Sequence, residues 1–136
     1  MRTYILDKNG DPVYEPDLLT WALWFETAKR QVADTTFAIG KNLNVQISTV
    51  FLGIDSNYGN YQFSKNEHPP YPPILWETMV FGGRHHHLTK RYPSRHAAEL
   101  GHAEICAMVQ KEESQPWIEW LRNQAIFAGP DGSSRN

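Results

Sequence analysis

Five histidines lie between positions 85 and 102, close enough in the chain to suggest a metal site. Cys106 follows His102 by four positions, and on a helix this spacing places two ligands on one face. In an alternating strand His85 and His87 also share a face. No CxxC or HExxH pattern completes a ligand set. The predicted metal ligands, kept for an alternative function only, are His85, His87, His102 and Cys106.

Glu77 is the best candidate for acid–base chemistry, because it is the single carboxylate in a strongly apolar run. Burial beside Trp76 or Met79 would raise its pKa and allow it to carry a proton. The competing interpretation places Glu77 on the open face of a one-sided sheet, or in a pair with Arg84 or Lys90. We prefer the second interpretation. The alternative function is a metal-dependent enzyme of zinc type, which would use Glu77 together with His85, His87 and His102.

The segment from Asp55 to Pro73 has no helical or strand period. Connections of this length in small domains are usually functional loops or disordered. Its aromatic residues alternate with Asn, Ser and Gly, a composition that suits recognition surfaces. The alternative is that these aromatics fold back as a lid over the sheet. The predicted binding residues are Asp55, Asn57, Tyr58, Tyr61, Phe63, His68 and Tyr71.

Four cations near the start of the last long helical stretch raise the question of nucleic-acid binding. They are Lys90, Arg91, Arg95 and His96. A helix, three strands and a helix is also the element order of double-stranded RNA-binding domains, which need cations at this helix start. The formal net charge is −2, so the chain has no general attraction for phosphate backbones. We keep a nucleic-acid-binding module as a second alternative and do not expect such a partner.

Composition indicates a globular protein without special chemistry. The chain has 136 residues, of which 40% are hydrophobic, and this is enough for one core. One cysteine excludes an intrachain disulfide and favours a reducing compartment. No signal peptide, membrane helix or cofactor motif is visible, so we expect a cytoplasmic protein without a cofactor. We predict one domain over residues 1–128 and a flexible tail over 129–136.

The N-terminal third predicts a hairpin followed by a helix. Strand-like residues flank the turn sequence around Asn9-Gly10, a strong tight-turn signal. Asp17 is a predicted N-cap, and apolar residues then recur at helical spacing as far as Val32. Leu19 and Leu23 fall on the polar side of this helix. They indicate a second contact, with the C-terminal segment or with another subunit, so a homodimer is possible.

The remaining elements are predicted as three strands and two helices. Residues 45–54 and 74–83 have the composition of buried strands, and residues 85–92 can return as an edge strand. Residues 34–44 are a connection of undefined form. Ser94 is a predicted N-cap for a helix to about Lys111, and Pro116 begins a short helix whose two tryptophans cap the core or form an oligomer contact. We predict an α+β domain, in which a three-stranded antiparallel sheet and an N-terminal hairpin carry helices on one face.

Three sequence blocks carry a family resemblance. They are Asp17 to Ala22 with Trp24 to Glu26, Ser48 to Asp55, and Pro73 to Gly83. Arg91-Tyr92 and the segment from Ser94 to His102 are similar as well. Over roughly residues 3 to 110 the chain resembles a family of small uncharacterised proteins encoded by phages and prophages. The resemblance brings no catalytic residues. It implies expression in a bacterial host cytoplasm, where small phage accessory proteins commonly act by binding host factors.

We therefore predict a non-catalytic accessory protein of phage type. Its partner would be a host macromolecule or a small ligand. The loop over residues 55–73 and the adjacent end of the sheet would form the contact surface.

Overall fold

A computed structural model describes residues 1–57 and 71–127. The chain folds as an N-terminal hairpin, a helix, four strands and two further helices. These elements are β1 (Tyr4–Leu6), β2 (Pro12–Tyr14), α1 (Leu18–Thr27), β3 (Gln31–Ile39), β4 (Leu43–Phe51), β5 (Trp76–Phe81), β6 (Thr89–Tyr92), α2 (Arg95–Glu113) and α3 (Trp117–Phe127). The α+β class is thus confirmed, with four strands in the main sheet rather than three.

The hairpin and the start of α1 form as the sequence predicts. Strands β1 and β2 pair antiparallel, and Asp7 Oδ1 accepts hydrogen bonds from the backbone N–H groups of Asn9 and Asp11 in the turn. The Asp17 carboxylate caps α1, since it accepts from Leu19 N at 3.2 Å and from Thr20 Oγ1 at 2.6 Å. Trp21 Nε1 donates to Tyr4 O at 3.1 Å and joins the helix to the hairpin.

The prediction that helical structure reaches Val32 is wrong. Helix α1 ends at Thr27, and β3 begins at Gln31. Strand β3 occupies most of the segment whose form the sequence left undefined, and it pairs with β4 from Gln31↔Val50 to Ile39↔Leu43. The Val, Thr, Phe and Ile side chains of β3 suit a pleated surface, and pairing with β4 overrides the weak helical spacing.

The main sheet is an antiparallel meander in the order β3-β4-β5-β6. Strand β5 pairs on both sides, with β4 and with β6. The last strand is shorter than predicted. Residues 84–87 form turns, and β6 begins only at Thr89.

Helix α2 covers the inner face of the sheet. Ala98, Ile105 and Val109 are buried against it, whereas Leu100 is exposed. Met108 packs beside the core instead. Gly101 has a packing role, because a Cβ there would overlap the ring of Tyr92. Among the described residues, no helix has both the length and the apolar character that a membrane span requires.

Candidate functional site

A cleft of about 530 Å³ opens where the β3–β4 turn meets the junction of α2 and α3. It lies at the end of the sheet opposite to the connection between β4 and β5. Its lining residues are Ile39, Leu43, Gly83, Arg84, Glu113 and Trp117. Apolar side chains from the β3–β4 hairpin thus meet a tryptophan of α3 over a buried ion pair. This volume lies in the range of ligand pockets.

Arg84 forms the base of this cleft. Its side chain is 7% exposed, and its guanidinium donates to Glu112 O at 2.5 Å and to Gln115 O at 2.6 Å. The guanidinium also stacks on Trp117, with Cζ 4.6 Å from the ring centroid. Glu112 lies in the last turn of α2 and Gln115 just beyond its C-cap, so the cation is placed at the negative end of the helix dipole. Arg84 therefore holds α3 against the end of α2.

Glu113 is the anionic partner of Arg84. Its Oε1 accepts from the backbone N–H of Arg84 at 2.5 Å, and its Oε2 lies 3.7 Å from Arg84 Nε. Its side chain is only 5% exposed. A buried carboxylate of this kind is stable only while its partner is present. The two residues form a rigid and largely desolvated floor for the cleft.

The Gly82-Gly83 pair makes this floor possible. Both glycines have positive φ, 88° and 75°, a conformation that side chains oppose. A Cβ on Gly82 would lie 2.6 Å from Asn44 O. A Cβ on Gly83 would overlap Glu113 and would lie 2.9 Å from Val45 Cγ2. The glycine pair that ends the apolar strand in the sequence therefore lets the turn approach Glu113 closely.

An exposed apolar surface adjoins the cleft. We call it the α3 patch and define it as Leu43, Trp117, Ile118 and Leu121, which are 41%, 58%, 68% and 50% exposed. Residues 117, 118 and 121 share one face of α3. Trp120 points elsewhere, since its Nε1 donates to Glu112 Oε1 at 3.3 Å. Trp120 therefore contacts the domain while Trp117 is exposed, and an oligomer contact through these tryptophans stays a prediction.

The predicted recognition loop is described only at its two ends. Asp55 is buried, and its Oδ1 accepts from Asn57 N at 2.9 Å and from Ile74 N at 3.0 Å. Tyr71 Oη donates to Asn57 O at 2.9 Å. These three residues tie the ends of the loop together. The other four predicted binding residues, which are Tyr58, Tyr61, Phe63 and His68, lie outside the described residues, as does the predicted tail over 129–136.

The predicted metal ligands are held in separate interactions. His85 Nε2 lies 2.8 Å from Glu112 Oε2, while His87 has a φ of 74° and stacks on His86. His102 uses both ring nitrogens inside the domain, with Thr35 and Thr49. Cys106 is half-buried beside the core. Within residues 1–57 and 71–127, no three His, Cys, Asp or Glu side chains are arranged to hold a metal ion.

Glu77 lies on the outer face of the sheet, as the preferred interpretation has it. Its partner differs from the two considered, because Arg91 Nε donates to Glu77 Oε2 at 3.0 Å. Arg95 pairs in turn with Glu99 at 2.9 Å. Two of the four cations considered for nucleic-acid binding are therefore neutralised by neighbouring carboxylates. The geometry gives that alternative no support.

One polar network was missed in the sequence. His102 Nδ1 lies 2.7 Å from Thr49 Oγ1, which lies 2.5 Å from Thr78 Oγ1, and His102 Nε2 lies 2.9 Å from Thr35 Oγ1. Burial lowers the pKa of His102, and the nearby carboxylate of Asp34 opposes this effect. Burial also raises the pKa of Tyr92 at the edge of the same face. Thr49 and Thr78, polar residues at inner positions of apolar strands, were the available signal.

Comparison with known proteins yields no similarity from which a function could be taken. No protein-family model, no curated protein and no solved structure matches the chain.

Proposed function

We propose that this protein acts by binding a partner macromolecule through the α3 patch and the adjoining cleft, without catalysing a reaction. The observation that carries the proposal is the exposure of Trp117, Ile118 and Leu121 on one helix face. Contiguous apolar surface of this kind is typical of interaction sites. Tryptophan is also among the residues that contribute most to binding energy at interfaces.

The buried ion pair supports this role because it prepares the surface before binding. Arg84 anchors α3 through two carbonyl groups and through its stacking on Trp117. A surface that is ordered in advance loses less conformational entropy when a partner binds. The cleft beside Trp117 can accept a protruding side chain of a macromolecule, or a small ligand as the lesser alternative.

The biological setting follows from the resemblance to phage and prophage proteins. We place the partner in a bacterial host, where the protein would act as an accessory factor during infection or lysogeny. A second apolar surface, made by Leu18, Leu19 and Leu23 of α1, is also exposed. We assign that surface to the possible homodimer contact.

The test is capture of host proteins from a bacterial lysate with wild-type protein and two matched variants. Trp117→Ser combined with Ile118→Ser should reduce recovery of the partner by about thirtyfold, because hot-spot residues contribute about 2 kcal/mol or more. Leu19→Ser combined with Leu23→Ser removes a similar amount of apolar surface from α1 and should leave recovery unchanged. Both variants alter exposed residues, so circular dichroism should match the wild type.

A third variant compares this surface with the predicted loop. It replaces residues 58–70 by a Gly/Ser linker and keeps Asp55 and Tyr71 in place. Recovery that depends on the linker segment but not on Trp117 and Ile118 would contradict the α3 patch and return the contact surface to the loop. Absence of any specific partner from lysates of permissive hosts would contradict the binding function itself.

A further inference from the structure

A groove of about 360 Å³ lies between β6 and α2, at the edge of the sheet opposite to β3. Its lining residues are His85 and Leu88 from the turn before β6, Lys90 from β6, and Glu104, Ile105 and Met108 from α2. Ligand pockets commonly measure about 300 to 1,000 Å³, so this groove has the size for a small molecule rather than for a protein segment. It shares no lining residue with the cleft beside Trp117.

The floor of this groove is apolar. Ile105 is buried in the core, and Leu88 and Met108 pack beside that core while only half-buried themselves. An apolar group in the groove would therefore complete the burial of Leu88 and Met108. The Met108 side chain can also adapt to the shape of a ligand and contact an aromatic ring through its sulfur. The floor thus favours a ligand with a bulky apolar part.

Two charges of opposite sign line the walls of the groove. Lys90 supplies a cation from the strand side, and Glu104 supplies a carboxylate from the helix side. Among the described residues neither side chain has a hydrogen-bond or ion-pair partner, whereas the nearby Arg91 and Arg95 are each paired with a glutamate. Both Lys90 and Glu104 are exposed, so their long side chains can turn towards one ligand. A ligand with an anion and a cation on adjoining atoms would complement both charges.

The third polar lining residue, His85, is held by contacts within the domain. Its Nε2 lies 2.8 Å from Glu112 Oε2, and its ring packs edge-on against Trp120. The charges of the groove that are available to a ligand therefore belong to Lys90 and Glu104.

We propose that this groove binds a free α-amino acid with a large apolar side chain. The carboxylate of the ligand would pair with Lys90, its ammonium group with Glu104, and its side chain would lie on Leu88 and Met108. A residue within a peptide lacks these two charges, so the groove would distinguish the free amino acid from a polypeptide. The site lies outside the α3 patch, and the inference does not rest on the proposed function.

The experiment titrates the full chain with L-phenylalanine and follows the methionine methyl groups by NMR. The chain has three methionines, of which only Met108 lines the groove. The Met108 signal, assigned with Met108→Leu, should shift and saturate. The signals of Met1 and Met79 should stay in place and serve as an internal control.

Three further ligands test which features are recognised. N-acetyl-L-phenylalanine lacks the cation and L-phenylalanine amide lacks the anion. Each should bind about three- to fivefold more weakly than L-phenylalanine, because ion pairs at exposed groups contribute modestly. L-alanine keeps both charges but lacks the bulky side chain, and it should bind at least about tenfold more weakly.

Matched protein variants assign each charge to its partner. Lys90→Gln should bind L-phenylalanine and its amide equally well, because the contact that distinguishes them is removed. Glu104→Gln should in the same way lose the discrimination against the N-acetyl compound. Lys111→Gln and Glu119→Gln remove the same charges at exposed positions outside the groove lining, and both should behave as the wild type.

Three outcomes would overturn the inference. A Met108 signal that does not shift saturably would show that the groove does not bind the amino acid. Analogues that bind as tightly as L-phenylalanine would show that its charges are not recognised. Unchanged preferences in the Lys90 and Glu104 variants would assign the recognition to other residues. Lysate capture through Trp117 and Ile118 is independent of all three results.

Discussion

The two faces of the four-stranded sheet carry polar residues of the same types in opposite environments. On the inner face Thr49 and Thr78 are fully buried and join the His102 network. On the outer face Thr36 is exposed, and no outer-face residue of the four strands is buried. The residue type alone therefore does not determine how much a threonine contributes to stability. The determining factor is whether α2 covers the face of the sheet on which the threonine lies.

Two arginine–glutamate pairs repeat this contrast. Arg84 and Glu113 are 7% and 5% exposed at the end of the covered face. Arg91 and Glu77 are 53% and 14% exposed on the open face, although their atoms are closer, at 3.0 Å rather than 3.7 Å. Distance is thus a poor guide to the energetic importance of the two pairs. Burial determines how much is lost when one partner is removed.

Arg84→Ala should cause the largest loss of stability. It leaves Glu113 buried without its cation, removes the side-chain donor to Glu112 O and Gln115 O, and removes the guanidinium that stacks on Trp117. Removing one partner of a buried pair typically costs about 3–5 kcal/mol. The measurement is the free energy of unfolding from urea titration, followed by tryptophan fluorescence and circular dichroism.

Arg91→Ala is the matched control on the open face. It should cost between about 0 and 1 kcal/mol, since Arg91 is half exposed and its pair with Glu77 is screened by water. Equal losses for the two arginine variants would show that burial does not separate the pairs, and would contradict the contrast between the faces.

Thr49→Val should cause the next largest loss. The valine fits the same volume, but His102 Nδ1 and Thr78 Oγ1 both lose a partner in a buried site. Leaving such groups unsatisfied costs about 1–3 kcal/mol. Thr36→Val makes the same change on the exposed side of β3 and should stay within about 0.5 kcal/mol of the wild type. A Thr49 variant as stable as the Thr36 variant would mean that the network contributes nothing.

Local signals in the sequence were sufficient for much of the fold. The turn around Asn9-Gly10 and the N-caps Asp17 and Ser94 act through contacts within a few residues, so they are visible in the sequence. Strand β3 was missed because its edge position depends on pairing with β4. Val32 also satisfies the helical spacing of α1, and the sequence does not choose between the two periods.

The candidate site was less visible because its key residues are brought together over long sequence separations. Glu113 belongs to the polar run Lys111-Glu112-Glu113, which has no local sign of burial. It becomes buried only when the turn at Gly83 and Arg84 reaches the end of α2. The histidines attracted attention by their spacing. The partners of His85 and His102, however, lie on other elements, and these two histidines make separate hydrogen bonds rather than a shared metal site.

The smallest predicted effect is the pH dependence of stability from His102 on the covered face. Burial lowers its pKa in the folded state, with Asp34 acting in the opposite direction. The unfolded chain, with a histidine pKa of about 6.5, therefore takes up protons first as the pH falls. The stability that His102 contributes is fully present above the unfolded-state pKa. It decreases as the pH falls towards the folded-state pKa and levels off below it.

His102→Gln should remove this decrease from urea midpoints measured across the same pH range. His96→Gln, at an exposed position of the same helix, should retain it. A His102 ring that titrates at or above the ordinary value by NMR would contradict the effect of burial and leave the pH dependence to other groups.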